Sequence, residues 1–245
     1  MTDALLLIHA FPLDASMWEP QVESLTDPLM VLAPNLPGFG GAEGVGNVMT
    51  MGDAASACLR ALDEAGADRA VVCGLSMGGY VAFELWRQVP DRVAGLVLAN
   101  TRAGADDDAG RERRLALASR LDAEGNGFLV ESPPPLLSEG ADDGLWGAVK
   151  ATIAAQPAAS IAAANRGMAQ RPDSRGDLAA ITVPTMVVTS TGDTLIPQSA
   201  TIPMADQIPD AQLEIIDGAG HLSNVEAPGE FTLILERHLT LCGLL

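Results

Sequence analysis

The chain has 245 residues, of which 48% are hydrophobic and 19% charged. That is the balance of a packed globular protein and it excludes a disordered segment. The net charge of −18 excludes nucleic acid and anionic membranes as partners, because a surface this acidic repels both.

Ala4 to Ile8 (ALLLI) is a short continuous apolar run, the pattern of a strand buried on both faces. Leu29 to Ala33 reads the same way and stops at Pro34. Met51 to Ala65 has helical potential. Ala70 to Cys73 predicts a further strand, followed within a few residues by a helix over Gly78 to Gln88. Val93 to Ala99, Pro184 to Thr189 and Gln212 to Ile216 complete the strands, and Glu230 to Leu241 predicts a closing helix. Alternation of this kind implies a mostly parallel sheet of about six strands flanked by helices. Residues 102–177 differ. They hold Asp106-Asp107-Asp108, an Arg/Glu-rich stretch, Pro133-Pro134-Pro135 and alanine-rich stretches, with no strand pattern. They are expected to form a helical cap inserted into a core domain of residues 1–101 and 178–245. The triple proline reads as a stiff turn between cap helices, and Asp106 to Asp108 as a solvated helix start.

The three cysteines, Cys58, Cys73 and Cys242, are odd in number and widely spaced. They form no CxxC and no metal-ligand cluster with the three histidines, so reduced thiols and no metal are expected. No basic segment precedes a long apolar run at the N-terminus, and no apolar run reaches membrane-spanning length. A cytoplasmic protein is expected.

Gly74-Leu75-Ser76-Met77-Gly78 lies between a predicted buried strand and a predicted helix. A serine on so sharp a turn projects its hydroxyl clear of the sheet, and its neighbours two positions away must be small. A serine hydroxyl needs a base. Of the three histidines, His221 fits, because it lies in GAGHLSNVEAP on a flexible loop past the last strand, where sites of α/β sheets are built. His238 reads as a packing or surface residue. His9 comes too early in the chain for the base and reads as an organiser of the loop that follows the first strand. Asp193, in STGDTLIP, lies between Ser76 and His221 in the order this arrangement needs. Asp217 is a minor alternative for the acid, and Glu226 reads as structural. Two backbone N–H groups must face the developing oxyanion. Met77 supplies one, and the loop His9-Ala10-Phe11-Pro12 supplies the other from Phe11, since Pro12 has no N–H.

HAFPLDASMW, LPGFG, GLSMGG, GDTLIP and GAGHLSNVEAP occur here in the order seen in α/β-hydrolase fold enzymes. Nearly the whole chain resembles that superfamily, most of all its small bacterial esterase and 3-oxoadipate enol-lactonase-like branch. The resemblance implies Ser76 as nucleophile, Asp193 as acid, His221 as base, and Phe11 and Met77 as oxyanion donors, with no cofactor. It also implies a shorter sheet, because the usual N-terminal hairpin before the first His-containing strand is missing. Ala10 stands where family members usually have glycine, which implies a small adjustment of that loop.

Phe39, in Leu36-Pro37-Gly38-Phe39-Gly40, is a candidate near the site entrance, with a structural turn as the alternative. Trp18 is expected to pack under the oxyanion loop. Phe128, Trp146, Ile161 and Met168 are candidates to line an apolar pocket, and His9 is a further candidate contact. Arg171 and Asp173 read as an internal ion pair in preference to a substrate-carboxylate site. The function expected is hydrolysis of a small carboxylic ester through an acyl-enzyme. The alternatives are enol-lactone hydrolysis, cofactor-free perhydrolysis permitted by Phe11-Pro12, and a non-catalytic binding protein on a hydrolase scaffold. A monomer or a homodimer fits equally.

Overall fold

The computed structural model describes residues 2–27 and 29–245; Met1 and Pro28 lie outside the described residues. In chain order the elements are β1 (Asp3–Ile8), α1 (Glu19–Leu25), β2 (Val31–Leu32), α2 (Met51–Ala65), β3 (Arg69–Leu75), α3 (Met77–Gln88) and β4 (Val93–Ala99). Four helices follow: α4 (Asp108–Glu124), α5 (Gly127–Glu131), α6 (Asp143–Ala155) and α7 (Ala158–Ala169). The chain then returns to the sheet with β5 (Thr185–Ser190), α8 (Gln198–Gln207), β6 (Gln212–Ile216), α9 (Ser223–Glu226) and α10 (Pro228–Leu241).

The six strands form one sheet in the order β2-β1-β3-β4-β5-β6, with every pairing parallel. This is the α/β architecture that the strand-helix alternation implies. The order reverses between β1 and β3, and in open parallel sheets such a reversal opens a crevice beyond the carboxyl ends of the strands. His9, Ser76, Asn100, Asp193 and His221 all follow strands on that side.

The central strands are apolar over most of their length. Leu5 to Ile8, Val71 to Cys73 and Leu96 to Ala99 are buried, as expected for a parallel sheet covered on both faces. The two edges depart from the apolar-run reading. The run Leu29 to Ala33 yields only the two-residue β2, bonded to β1 alone, and Pro34 follows it at once. At the other edge Leu213 and Ile215 of β6 are exposed, because helices do not cover both faces of the last strand.

Residues 102–177 contain α4 to α7 and no strand. The prolines at 133–135 fall between α5 and α6. Gln156 ties this insertion to the loops after β2 and β1: its side chain accepts from Gly40 N–H (2.9 Å) and donates to Asp14 (2.8 Å). Among Asp106 to Asp108 only part of the expected solvated helix start is found. Asp107 caps α4 by accepting from Gly110 N–H (2.7 Å) and Asp108 is exposed, but Asp106 is buried.

Helix α2 starts with a reciprocal cap. The Thr50 hydroxyl accepts from Asp53 N–H (3.0 Å) and the Asp53 carboxylate accepts from Thr50 N–H (2.9 Å). Two of the donors that a helix start leaves without partners are satisfied this way. Thr50→Ala is expected to lower unfolding stability by about 1 kcal/mol, read as a reduced urea midpoint at unchanged slope.

Candidate active site

Ser76 stands on the turn between β3 and α3 with φ +57° and ψ −112°. A non-glycine residue pays for such a backbone with strain. The surroundings hold it there. Ser76 N–H donates to the Ala99 carbonyl (2.9 Å) and its own carbonyl accepts from the Thr101 hydroxyl (2.7 Å). Space at the turn demands glycine. A Cβ on Gly74 would meet the Gly78 carbonyl, one on Gly78 the Ile8 carbonyl, and one on Gly79 the Thr101 side chain.

His221 and Asp193 come together from the loops after β6 and β5. His221 Nδ1–H donates to Asp193 Oδ2 at 2.8 Å, and both side chains are fully buried. The other ring nitrogen, Nε2, is buried and has no partner among the described residues. Asp193 also accepts from the N–H groups of Leu195 and Ile196 through Oδ1 (2.9 Å each) and from Asn100 Nδ2 through Oδ2 (3.0 Å). Burial alone would raise the Asp193 carboxyl. The hydrogen bond and charge of His221, with the Ile196 and Asn100 donors, outweigh it and hold the group below its usual range. A carboxylate in this position favours the tautomer with the proton on Nδ1, which leaves Nε2 as an acceptor.

Asn100 is the residue that sequence reasoning missed. It follows β4 with φ +44°. Its amide donates to Ser190 Oγ (2.8 Å) as well as to Asp193, and its Oδ1 accepts from Ser223 Oγ (2.6 Å). Ser190 Oγ in turn donates to the Gly220 carbonyl (2.5 Å). One buried side chain thus fastens the loops that carry Asp193 and His221. The available signal was its place at the carboxyl end of a strand in the middle of the sheet.

The other acidic candidates resolve clearly. Asp217 accepts from Thr191 (2.9 Å) at an exposed position. Glu226 accepts from Gly220 N–H (2.6 Å) and from the Ser138 N–H and hydroxyl, which ties the His221 loop to the helical insertion.

A cavity of about 740 Å³ opens above Ser76, a volume suited to a small organic ligand. Ser76, Phe11, Pro12, Phe128 and Met168 line it. Met77 begins α3, so its N–H is at the positive end of a helix. Among the described residues, neither the Phe11 nor the Met77 N–H has a backbone acceptor. The Phe11-Pro12 peptide is cis. Ala10 has no left-handed φ, so the alanine needs no glycine-like conformation.

Four candidate contacts lie elsewhere. His9 is fully buried: its Nδ1 donates to the Ala10 carbonyl and its Nε2 accepts from Leu36 N–H, both at 3.0 Å. It joins the loops after β1 and β2 and does not line the cavity. Phe39 is buried edge-on against His9 at 5.4 Å, so its loop is a structural turn. Trp146 on α6 and Ile161 on α7 pack against or within the core, outside the cavity lining. Trp18 is buried against Phe231 of α10. Arg171 forms an internal ion pair with Asp106, while Asp173 pairs with Arg175; the expected Arg171–Asp173 partnership is not made.

A parallel α/β sheet with a strained serine on a strand-to-helix turn, facing a cavity, and a carboxylate-oriented histidine on the same edge defines a hydrolase class. The family model described as the alpha/beta hydrolase family matches residues 5–232, and the chain belongs to that family. It is 30% identical to 3-oxoadipate enol-lactonase 1 of Acinetobacter baylyi, over 94% of this chain and 86% of that one. It is 29% identical to a pimeloyl-[acyl-carrier protein] methyl ester esterase of Aromatoleum aromaticum, over 95% and 96%. Among solved structures, a thermophilic esterase from Thermogutta terrifontis, with malate bound, superimposes with a TM-score of 0.94 at 37% identity, covering 99% of this chain and 90% of that one. No helix among the described residues is long and apolar enough to cross a membrane.

Two buried histidines make the fold acid-sensitive. Burial pushes His9 and His238 down to about 4, whereas unfolded histidine titrates near 6.5. Between these values the unfolded chain binds more protons than the native one. Stability is therefore complete above about pH 6.5 and falls as pH drops toward 4, by up to ~2.7 kcal/mol per pH unit when both rings contribute. Urea unfolding from pH 7.5 to 4.5 is expected to show this slope, and His238→Gln is expected to roughly halve it. An unchanged slope in the variant would exclude His238.

Proposed function

We propose that the protein is a serine hydrolase of small carboxylic esters, with Ser76 as nucleophile, His221 as general base and acid, and Asp193 as the group that orients His221. The observation that carries this reading is the buried Asp193–His221 hydrogen bond with an unpartnered Nε2, on the same sheet edge as a serine held in a strained turn facing the cavity. In the mechanism, Ser76 Oγ attacks the ester carbonyl as His221 Nε2 takes its proton. The Phe11 and Met77 N–H groups hold the tetrahedral oxyanion. His221 returns the proton to the leaving alcohol, and an acyl-Ser76 ester remains. Water, deprotonated by the same histidine, attacks that ester and releases the acid and the free serine. Residues 102–177 act as the cap that closes the substrate cavity, and Phe128 and Met168 contribute its apolar contacts. No cofactor enters this scheme. A cytoplasmic location is part of the proposal, supported by Cys58, Cys73 and Cys242 being free thiols.

A lactone is a cyclic ester and passes through the same steps, the leaving alcohol staying attached to the acyl group. The likeness to an enol-lactonase at 30% identity supports this second reading.

Hydrolysis of p-nitrophenyl acetate, butyrate and octanoate is expected in the wild type and absent in Ser76→Ala, with fluorophosphonate labelling lost in parallel. Asp193→Asn is expected to lower kcat on the order of 10^3- to 10^4-fold by releasing the His221 tautomer. Undiminished turnover in Ser76→Ala would overturn the mechanism.

A further inference from the structure

The cavity above Ser76 has a charge opposite to that of the chain as a whole. Four of the 14 basic residues line it, Arg102, Arg113, Arg114 and Arg120, against two of the 32 acidic ones, Asp106 and Glu131. The helical period brings Arg113, Arg114 and Arg120 there, because they share one face of α4 with Gly110 and Leu117.

The charges on this wall do not balance. Arg171 holds both oxygens of the Asp106 carboxylate, at 2.6 and 3.1 Å, and this pair is buried. Arg114 Nε leans on Asp106 Oδ2 at 2.5 Å and Arg102 on Oδ1. Three guanidiniums on one carboxylate leave a surplus of two positive charges. Neither Arg102 nor Arg114 has another carboxylate partner among the described residues. Their side chains are 37% and 22% exposed, against 3% for Arg171, so the surplus lies on the cavity side. Arg113 adds a third charge and has no ion-pair partner among the described residues. Arg120 is occupied, paired with Glu124 and stacked 3.8 Å over Phe128.

Glu131 on the same lining offsets one of these three charges, and the remaining surplus of two positive charges lies where a ligand enters. We infer that Arg102, Arg113 and Arg114 form an anion subsite, and that the ester or lactone hydrolysed carries a carboxylate remote from the scissile carbonyl. Guanidinium matches carboxylate in a planar, two-point geometry. Arg113 makes the first contact, since its donors are not spent inside the protein. The inference rests on the reading of Ser76 as nucleophile, which places the reacting carbonyl at the floor of the same cavity.

The test compares p-nitrophenyl hydrogen adipate with p-nitrophenyl methyl adipate, which differ by one charge. In the wild type at low salt kcat/KM is expected to favour the anionic ester by about tenfold or more, the worth of one charge-assisted hydrogen bond, with the difference carried by KM. Arg113→Met is expected to bring that ratio toward one. Arg113 is exposed and outside the Asp106 cluster, so the substitution leaves the fold's internal ion pairs intact. A wild-type ratio of one or less, with the neutral ester turned over, overturns the anion subsite and leaves the Ser76 mechanism standing. No turnover of either ester and no fluorophosphonate labelling overturns the Ser76 reading. Calorimetry with adipate and adipamide then decides the subsite by itself: adipate bound about tenfold tighter, with the preference lost in Arg113→Met, supports it. Equal affinities, or no adipate binding, overturn it.

Discussion

The crowded junction of β1, β3 and α3 is the constraint on which the rest of the molecule depends. For the Ser76 hydroxyl to clear the sheet, the chain must turn from strand to helix within one residue, and that residue takes φ +57°. The turn has room only because residues 74, 78 and 79 carry no Cβ. The strain is held by partners at the end of the neighbouring strand and just beyond it: the Ala99 carbonyl and the Thr101 hydroxyl each take one of Ser76's backbone groups. Since the end of β4 and the residues that follow it supply both partners, the elbow is fixed by its neighbours in the fold and not by its own local preference.

The same strand end orients the rest of the site. Asn100, directly after β4, reaches Ser190, Asp193 and Ser223 with one amide. Its buried donors and acceptor are all used, so the loops after β5 and β6 cannot move independently without leaving a polar group unsatisfied, which is costly in a buried site. Residues 99 to 101 therefore brace the serine on one side and the acid and histidine on the other. The Asp193–His221 geometry is a consequence of sheet order: β4 and β5 are neighbours, and β6 is next to β5.

The sheet was legible because parallel buried strands are continuous apolar runs, and the elbow because a glycine pattern between strand and helix has few other uses. What was not legible depended on contacts distant in sequence. Asn100 looks like any polar residue ending a strand until Ser223, more than 120 positions later, is seen to donate to it. His9 and Phe39 invite a role in the site because they flank it in sequence, yet they spend their polar and aromatic edges on each other and on the Leu36 backbone. Edge strands misled in the same way. An apolar run shows that a segment can be buried on both faces, but only the fold decides whether helices cover it.

The charge of the molecule shows the limit of composition most sharply. A net charge of −18 describes the outer surface and says nothing about a cavity. Asp106 reads as the first of three aspartates before a helix, and two of them behave so. Asp106 instead turns inward because Arg171, 65 positions away, covers both its oxygens. Once that carboxylate is committed to Arg171, Arg102 and Arg114 share oxygens already in use, and α4 presents Arg113 beside them. An acidic exterior and a basic interior oppose each other for an anionic ligand: the outer field slows approach, and the cavity field holds what enters. Screening by salt weakens the long-range repulsion more than the contacts inside the cavity. An anionic ester is therefore selected by the α4 wall at short range, after an approach that the rest of the surface opposes.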